Sequence, residues 1–212
     1  MDLADRIELR RFVGREHLLW LWFETELFEG NLRTSKHGSF AMWVEGRMVL
    51  SMGRERTTIR GSLPGAHREA KEAVRRGKLP EAVGFRLDRG ELPASFVLKG
   101  DSLALSGLSL PEPPKEETPA IEVLADAPRP KRRGKAKDDA DAADADYDAF
   151  YERMRRTRDV EEVLEALYAD FLALRLAAPW RASVWPAIER WIDGQDVDAS
   201  AYRAIRSRAT KR

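Results

Sequence analysis

Six apolar residues in a row, Leu18–Phe23, form the longest uninterrupted hydrophobic run of the chain. Within Gly14–Glu26 they pair at i,i+4 spacing, Leu18 with Trp22 and Leu19 with Phe23, the separation that stacks side chains on one helix face. Trp20 and Leu21 carry the apolar surface nearly all round, and a helix of that kind is enclosed by its domain. A buried strand would also accept six apolar residues, but the flanking Glu16, Glu24 and Glu26 favour helix.

The pattern then changes period. Phe40, Met42 and Val44 alternate with polar positions, Glu45-Gly46 supplies a turn, and Met48, Leu50 and Met52 alternate again, which predicts a hairpin. Thr57–Ser62 is a further β-branched stretch, ended by Pro64-Gly65. A short helix over Ala66–Arg76 follows, with Ala66, Ala70, Ala73 and Val74 inward, Gly77 as its C-terminal stop and Pro80 beyond. Val83, Phe85 and Leu87 alternate up to a turn at Arg89-Gly90, Phe96 and Leu98 continue, Gly100-Asp101 turns, and Leu103, Leu105, Leu108 and Leu110 close the unit. Residues 1–110 therefore predict an α+β domain: a mostly antiparallel sheet of about five or six strands with two helices. Strand–helix alternation of the parallel type is absent.

At Pro111 the pattern stops. PEPPKEETPA is rich in Pro and Glu, PRPKRRGKAK is basic, and DDADAADAD is acidic and Ala-rich. None has the apolar periodicity that offsets the entropy of ordering, so 111–145 is expected to be a disordered linker, with Ile121–Leu124 its only segment of docking character. Residues 146–212 predict a helical hairpin or small bundle. Tyr147, Phe150, Tyr151 and Met154 begin a stripe that Val160, Val163, Leu164, Leu167, Phe171 and Leu174 continue. The stripe slips by one residue near Thr157-Arg158: either one long helix changes its buried face there, or two helices meet. Pro179 ends the run; Trp185, Ile188, Trp191 and Ile192 mark a short helix closed by Gly194. The last segment, 199–212, predicts a helix with Tyr202 and Ile205 inward and Arg203, Arg206, Arg208, Lys211 and Arg212 outward.

Composition narrows the class. The charged share is 34%, above the usual ~25%, which suits solvated helices and tails. The net charge is only +1, so any phosphate-binding surface must be local. The absence of Cys excludes disulfides, thiolate metal sites and a cysteine nucleophile. MDLADRIELRR has no apolar signal region, and Leu18–Phe23 falls far short of the ~20 residues a membrane span needs; a cytoplasmic protein with no membrane association is expected.

No catalytic constellation is legible. His17, His37 and His67 share no metal-ligand spacing, and no phosphate loop or nucleophile elbow is present; neither enzyme activity nor a cofactor is expected. Asp144, Asp146 and Asp148 imitate the start of a calcium loop, but Ala149 and Arg155 stand where that loop requires Gly and Glu. The sharpest electrostatic feature is the basic block Lys131, Arg132, Arg133, Lys135 and Lys137, with Arg203, Arg206, Arg208, Lys211 and Arg212 as a second cluster. Flexible blocks of this kind bind phosphate backbones without reading bases. Arg75, Arg76 and Lys78 form a weaker third group.

The stretch Phe12–Glu26, FVGREHLLWLWFETE, resembles a block in the C-terminal region of long RdgC-type recombination-associated proteins of deltaproteobacteria, where a comparable Gly-Arg-Glu, Trp-Leu-Trp arrangement opens an α+β segment. The likeness continues through Glu69–Lys78, EAKEAVRRGK, and weakly to Trp180 and Trp191, over about two thirds of the chain. It implies a DNA-associated role, since proteins of that family bind duplex DNA without sequence preference and restrain recombinase action. Their ring-forming portion lies in a larger N-terminal region with no counterpart in this sequence, so encirclement is not implied, and no catalytic or binding residue carries over. Two expectations follow. The chain is a non-catalytic accessory protein whose two basic clusters contact duplex DNA; alternatively, the C-terminal amphipathic helices form a protein-interaction or dimerisation module.

Overall fold

The Leu18–Phe23 run lies at the centre of the protein. A computed structural model describes residues 3–61, 64–89, 92–110 and 135–209, and places the run in α1 (Leu3–Leu27), where none of its six side chains is more than 1% exposed. The helix is enclosed because a sheet covers one side and the C-terminal helices cover the other. Its chemistry demands both: six consecutive apolar residues leave no helix face that water can cover without loss.

The sheet contains β1 (Asn31–Thr34), β2 (Gly38–Met52), β3 (Glu55–Arg60), β4 (Leu79–Arg89), β5 (Leu92–Lys99) and β6 (Leu105–Ser109). The order is β1-β2-β4-β5-β6, every pairing is antiparallel, and β3 pairs with the C-terminal half of β2 while β1 pairs with its start. The α+β class with six strands is as the alternation predicts. Met42, Leu50, Val83, Phe85, Leu87, Phe96 and Leu98 are buried in the same core as α1.

The hairpin expected at Glu45-Gly46 does not form. Both halves pair with the same neighbour: Val44 faces Phe85 and Met48 faces Val83, so Glu45, Gly46 and Arg47 together stand opposite Gly84. This is a bulge, and Gly46 adopts φ 79° there. Phe40, Met42 and Val44 keep the same parity as Met48 and Leu50, so one continuous strand buries both sets. Gly84 answers the bulge, since a β-carbon at that position would collide with the Glu45 carbonyl. The chain reverses instead at Gly53-Arg54, where Met52 pairs with Glu55. The turn expected at Arg89-Gly90 lies partly outside the described residues.

Helix α2 (Pro64–Arg75) buries Ala70, Ala73 and Val74, as its small-residue stripe predicts. It closes at Gly77, where Gly77 N–H donates to Val74 O (2.8 Å) and Lys78 N–H to Ala73 O (3.1 Å).

Helix α3 (Lys135–Leu176) answers the question posed by the slipping stripe: it is one helix. Residues 135–145, expected as linker, are helical, which corrects the boundary; the Ala-rich, Asp-bearing sequence lacks a hydrophobic stripe but contains neither Gly nor Pro to break a helix that packing begins further on. Residues 111–134 of that linker, with Ile121–Leu124, lie outside the described residues. After Pro179 come a π-helical turn (Trp180–Val184), α4 (Trp185–Ile192) and α5 (Ala199–Ala209).

Residues from both sides of 111–145 share one core. Val160, Val163, Leu167, Phe171 and Leu174 of α3, Ile188 and Trp191 of α4, and Tyr202 of α5 belong to one continuous core with α1 and the sheet. Phe171 sits 5.4 Å from Trp20, Trp191 sits 4.7 Å edge-on to Trp22, and Tyr202 meets Phe23 at 5.1 Å.

Candidate functional site

Three polar places stand out from this core. The first is internal. Glu24 is fully buried, and its Oε1 accepts from the Tyr202 hydroxyl at 2.8 Å while that hydroxyl accepts from Trp20 Nε1 at 2.8 Å. Arg206 Nη1 lies 2.5 Å from Glu24 Oε2, and Arg206 Nη2 donates to the Arg33 carbonyl at 2.5 Å and lies 3.7 Å from Asp170. Asp170 in turn accepts from Ser35 N and Ser35 Oγ at 3.1 and 2.7 Å. Burial pushes the Glu24 carboxyl upward and the Arg206 guanidinium opposes it. This network ties α1, α3, α5 and β1 together. Arg206, expected to face outward as a phosphate contact, is internal: its position on α5 shares the face of Tyr202, and two buried carboxylates require its charge.

The second place is Glu26, which joins α1, α2 and α4. Oε1 accepts from Trp22 Nε1 (2.7 Å) and lies 2.6 Å from His67 Nδ1; Oε2 meets Lys71 Nζ (2.7 Å) and Trp191 Nε1 (2.8 Å). Burial alone would raise this carboxyl, but the bonds from His67, Lys71 and Trp191 overcome it and hold the group down at about 2. Clefts of about 620 and 450 Å³ open on either side. Four donors saturate the carboxylate, so it is built as a tie between helices. His17 is likewise a core residue, stacked among Trp20, Tyr168 and Phe171 and held neutral by burial, its pKa lowered to about 3. Among the described residues, no group of three or more His, Asp or Glu could hold a metal ion.

The third place is the surface of α3 ahead of Val160. Phe150, Tyr151 and Met154 are 57, 52 and 54% exposed, although the stripe to which they belong becomes core from Val160 onward. At 3.6 residues per turn, Phe150 sits roughly a quarter to a third of a turn, and Met154 roughly a third to nearly half a turn, away from the Val160–Leu167–Leu174 row. Exposed Arg153, Arg155 and Arg158 surround them, and an open groove beside them is lined by Lys36, Glu161 and Glu165. Phe150 and Tyr151 meet edge-on at 5.9 Å. The slip at Thr157-Arg158 is the sequence signal that marks this departure from the core.

Among the described residues, the expected phosphate contacts are dispersed. Lys131, Arg132, Arg133, Lys211 and Arg212 lie outside the described residues. Lys135 and Lys137 occupy the first turn of α3. Arg203 lies over the Phe28 ring at 4.8 Å and lines, with Arg206 and Asp170, a cleft of about 540 Å³; Arg208 is exposed. At the end of α2 and just beyond it, Arg75 is bound by Ile192 O, Asp193 and Glu72, Arg76 by Glu72, and Lys78 by Thr57 and Glu55. Their charges are spent within the fold.

No family model, curated protein or solved structure matches the chain. Among the described residues no helix is long and apolar enough to cross a membrane.

Proposed function

We propose that the protein is a non-catalytic interaction module that presents α3 to a protein partner from a rigid α+β body. The observation that carries this reading is the exposure of Phe150, Tyr151 and Met154 together on a helix whose apolar stripe is core from Val160 to Leu174. Large apolar side chains clustered in this way mark interaction surfaces rather than ordinary surface scatter, and aromatic, Met and Arg residues are the ones enriched where partners dock. A helix presenting such a face to a complementary surface is a recurrent mode of recognition.

The test is a photo-crosslinking amino acid at Met154 of the full chain, activated in cells that produce it. Discrete protein adducts are expected, and Phe150→Asp should abolish them. Absence of any protein adduct overturns the reading.

A second reading, sequence-independent duplex-DNA association linked to recombination, is favoured by exposed Arg153, Arg155, Arg158, Arg203 and Arg208 and by the RdgC resemblance. It predicts salt-sensitive binding, with log affinity falling linearly in log salt concentration. Anisotropy of a labelled duplex, wild type against a chain with Lys131, Arg132, Arg133 and Lys135 neutralised, checks it; no binding at tens of micromolar protein at low salt defeats it.

A further inference from the structure

Resting on the interaction reading, we infer that the partner of α3 is a second copy of the same chain, paired antiparallel through α3 about a two-fold axis near Phe150 and Tyr151.

Charge order along the helix supplies the argument. The residues 138–149 carry six aspartates, Asp138, Asp139, Asp141, Asp144, Asp146 and Asp148, with no Lys or Arg. The residues 153–158 carry four arginines, Arg153, Arg155, Arg156 and Arg158, with no Asp or Glu. The exposed Phe150 and Tyr151 lie at the junction of the two runs. Because α3 is one uninterrupted helix through this region, the runs are consecutive on a single rod. At 3.6 residues per turn, a two-fold axis between residues 150 and 151 sets position 146 of one copy opposite Arg153 of the other on one flank of the seam and position 144 opposite Arg158 on the other flank, and does so twice by symmetry. A surface that is complementary to itself in this manner is what an isologous dimer requires. Parallel pairing would set acid against acid and base against base, which costs free energy at each contact.

Capping of the α3 N-terminus does not account for the acidic run. The helix dipole acts within the first turn, whereas Asp144, Asp146 and Asp148 follow Lys135 by more than two turns. The apolar junction supplies the non-directional attraction and the flanking charges supply the orientation, the division of labour seen where helices pair.

The absence of Cys makes the geometry directly testable in the full chain. Copies bearing Asp144→Cys and copies bearing Thr157→Cys are mixed under oxidising conditions. Antiparallel pairing brings 144 of one copy beside 157 of the other, so the mixed disulfide is expected to outpace both homodisulfides at least fivefold. Dominant homodisulfides, or none of any kind, overturn the inference. Sedimentation tests the electrostatics. The triple variant Asp144→Lys/Asp146→Lys/Asp148→Lys and the triple variant Arg153→Glu/Arg155→Glu/Arg158→Glu should each weaken dimerisation at least tenfold, and an equimolar mixture of the two should restore it. A wild-type chain that stays monomeric at 200 µM protein (about tenfold above ordinary assay concentrations), or a mixture that fails to associate, overturns it. If the Met154 photo-adducts are to other proteins while the pure chain is monomeric, self-pairing fails and the interaction reading stands; if there are no adducts and no dimer, both fail.

Discussion

Arg206 shows how a single residue can be misjudged by its type. On the surface it would be one more arginine in a basic tail; in the fold it lies between Glu24 and Asp170, both buried. Removing one partner of a buried ion pair leaves a charge with no water to solvate it, at a cost of about 3–5 kcal/mol. Arg206→Ala is therefore expected to lower unfolding stability by that amount in urea titration, and the combined Glu24→Leu/Arg206→Met change should recover part of it, because it removes the Glu24 charge while Asp170 keeps its two hydrogen bonds from Ser35. His17 offers a second residue-scale outcome. Its pKa is lowered from 6.5 to about 3 by burial, so the unfolded chain takes up a proton as pH falls below 6.5 while the folded chain does not. The contribution is thus present above pH 6.5 and is lost as pH falls toward 3. Glu26, lowered from 4.5 to about 2, adds a second loss between those values. Stability should fall by roughly 2 kcal/mol between pH 6.5 and 4.5, and His17→Gln should flatten that part of the profile, as read from urea midpoints at pH 7 and pH 5, while leaving the Glu26 limb in place.

At the level of elements, periodicity carried most of the architecture. The enclosed α1, the alternation of β4 and β5, and the small-residue face of α2 with its Gly77 stop were all legible, because each follows from local burial. The bulge in β2 was not. Glu45-Gly46 has turn chemistry, and only the register against β4, a non-local fact, decides between a turn and a bulge. Gly84 is the evidence in the sequence that could have decided it, a glycine in mid-strand where a close backbone approach is expected. Gly84→Ala should consequently cost about 1–3 kcal/mol through the collision with the Glu45 carbonyl, measured by thermal unfolding, whereas Ala at the neighbouring outward position Ala82 is already accommodated. The candidate surface on α3 was half legible: the slip at Thr157-Arg158 was visible, but which half of the stripe would find a core depends on where α1 ends.

The whole molecule depends on a contact between its two ends. Tyr202 and Arg206 of α5 complete the polar partners of Trp20 and Glu24 of α1, and Trp191 of α4 packs edge-on against Trp22. The sheet can cover one side of α1 and no more. A chain ending at Leu110 would leave Trp20, Trp22 and Phe23, each at most 1% exposed in the fold, facing water, along with the uncompensated Glu24 carboxylate. Each exposed large apolar side chain forfeits about 1.5–3 kcal/mol, so the three together approach the 5–15 kcal/mol that holds a typical domain folded. The prediction is that residues 1–110 alone lose cooperative unfolding and near-ultraviolet tryptophan signal, and that adding residues 146–212 as a separate peptide restores both, since the core side chains of α3, α4 and α5 named above all lie within that peptide. A 1–110 fragment that unfolds cooperatively with native near-ultraviolet signal would mean that α1 does not need the C-terminal helices, and that they dock on a domain already complete.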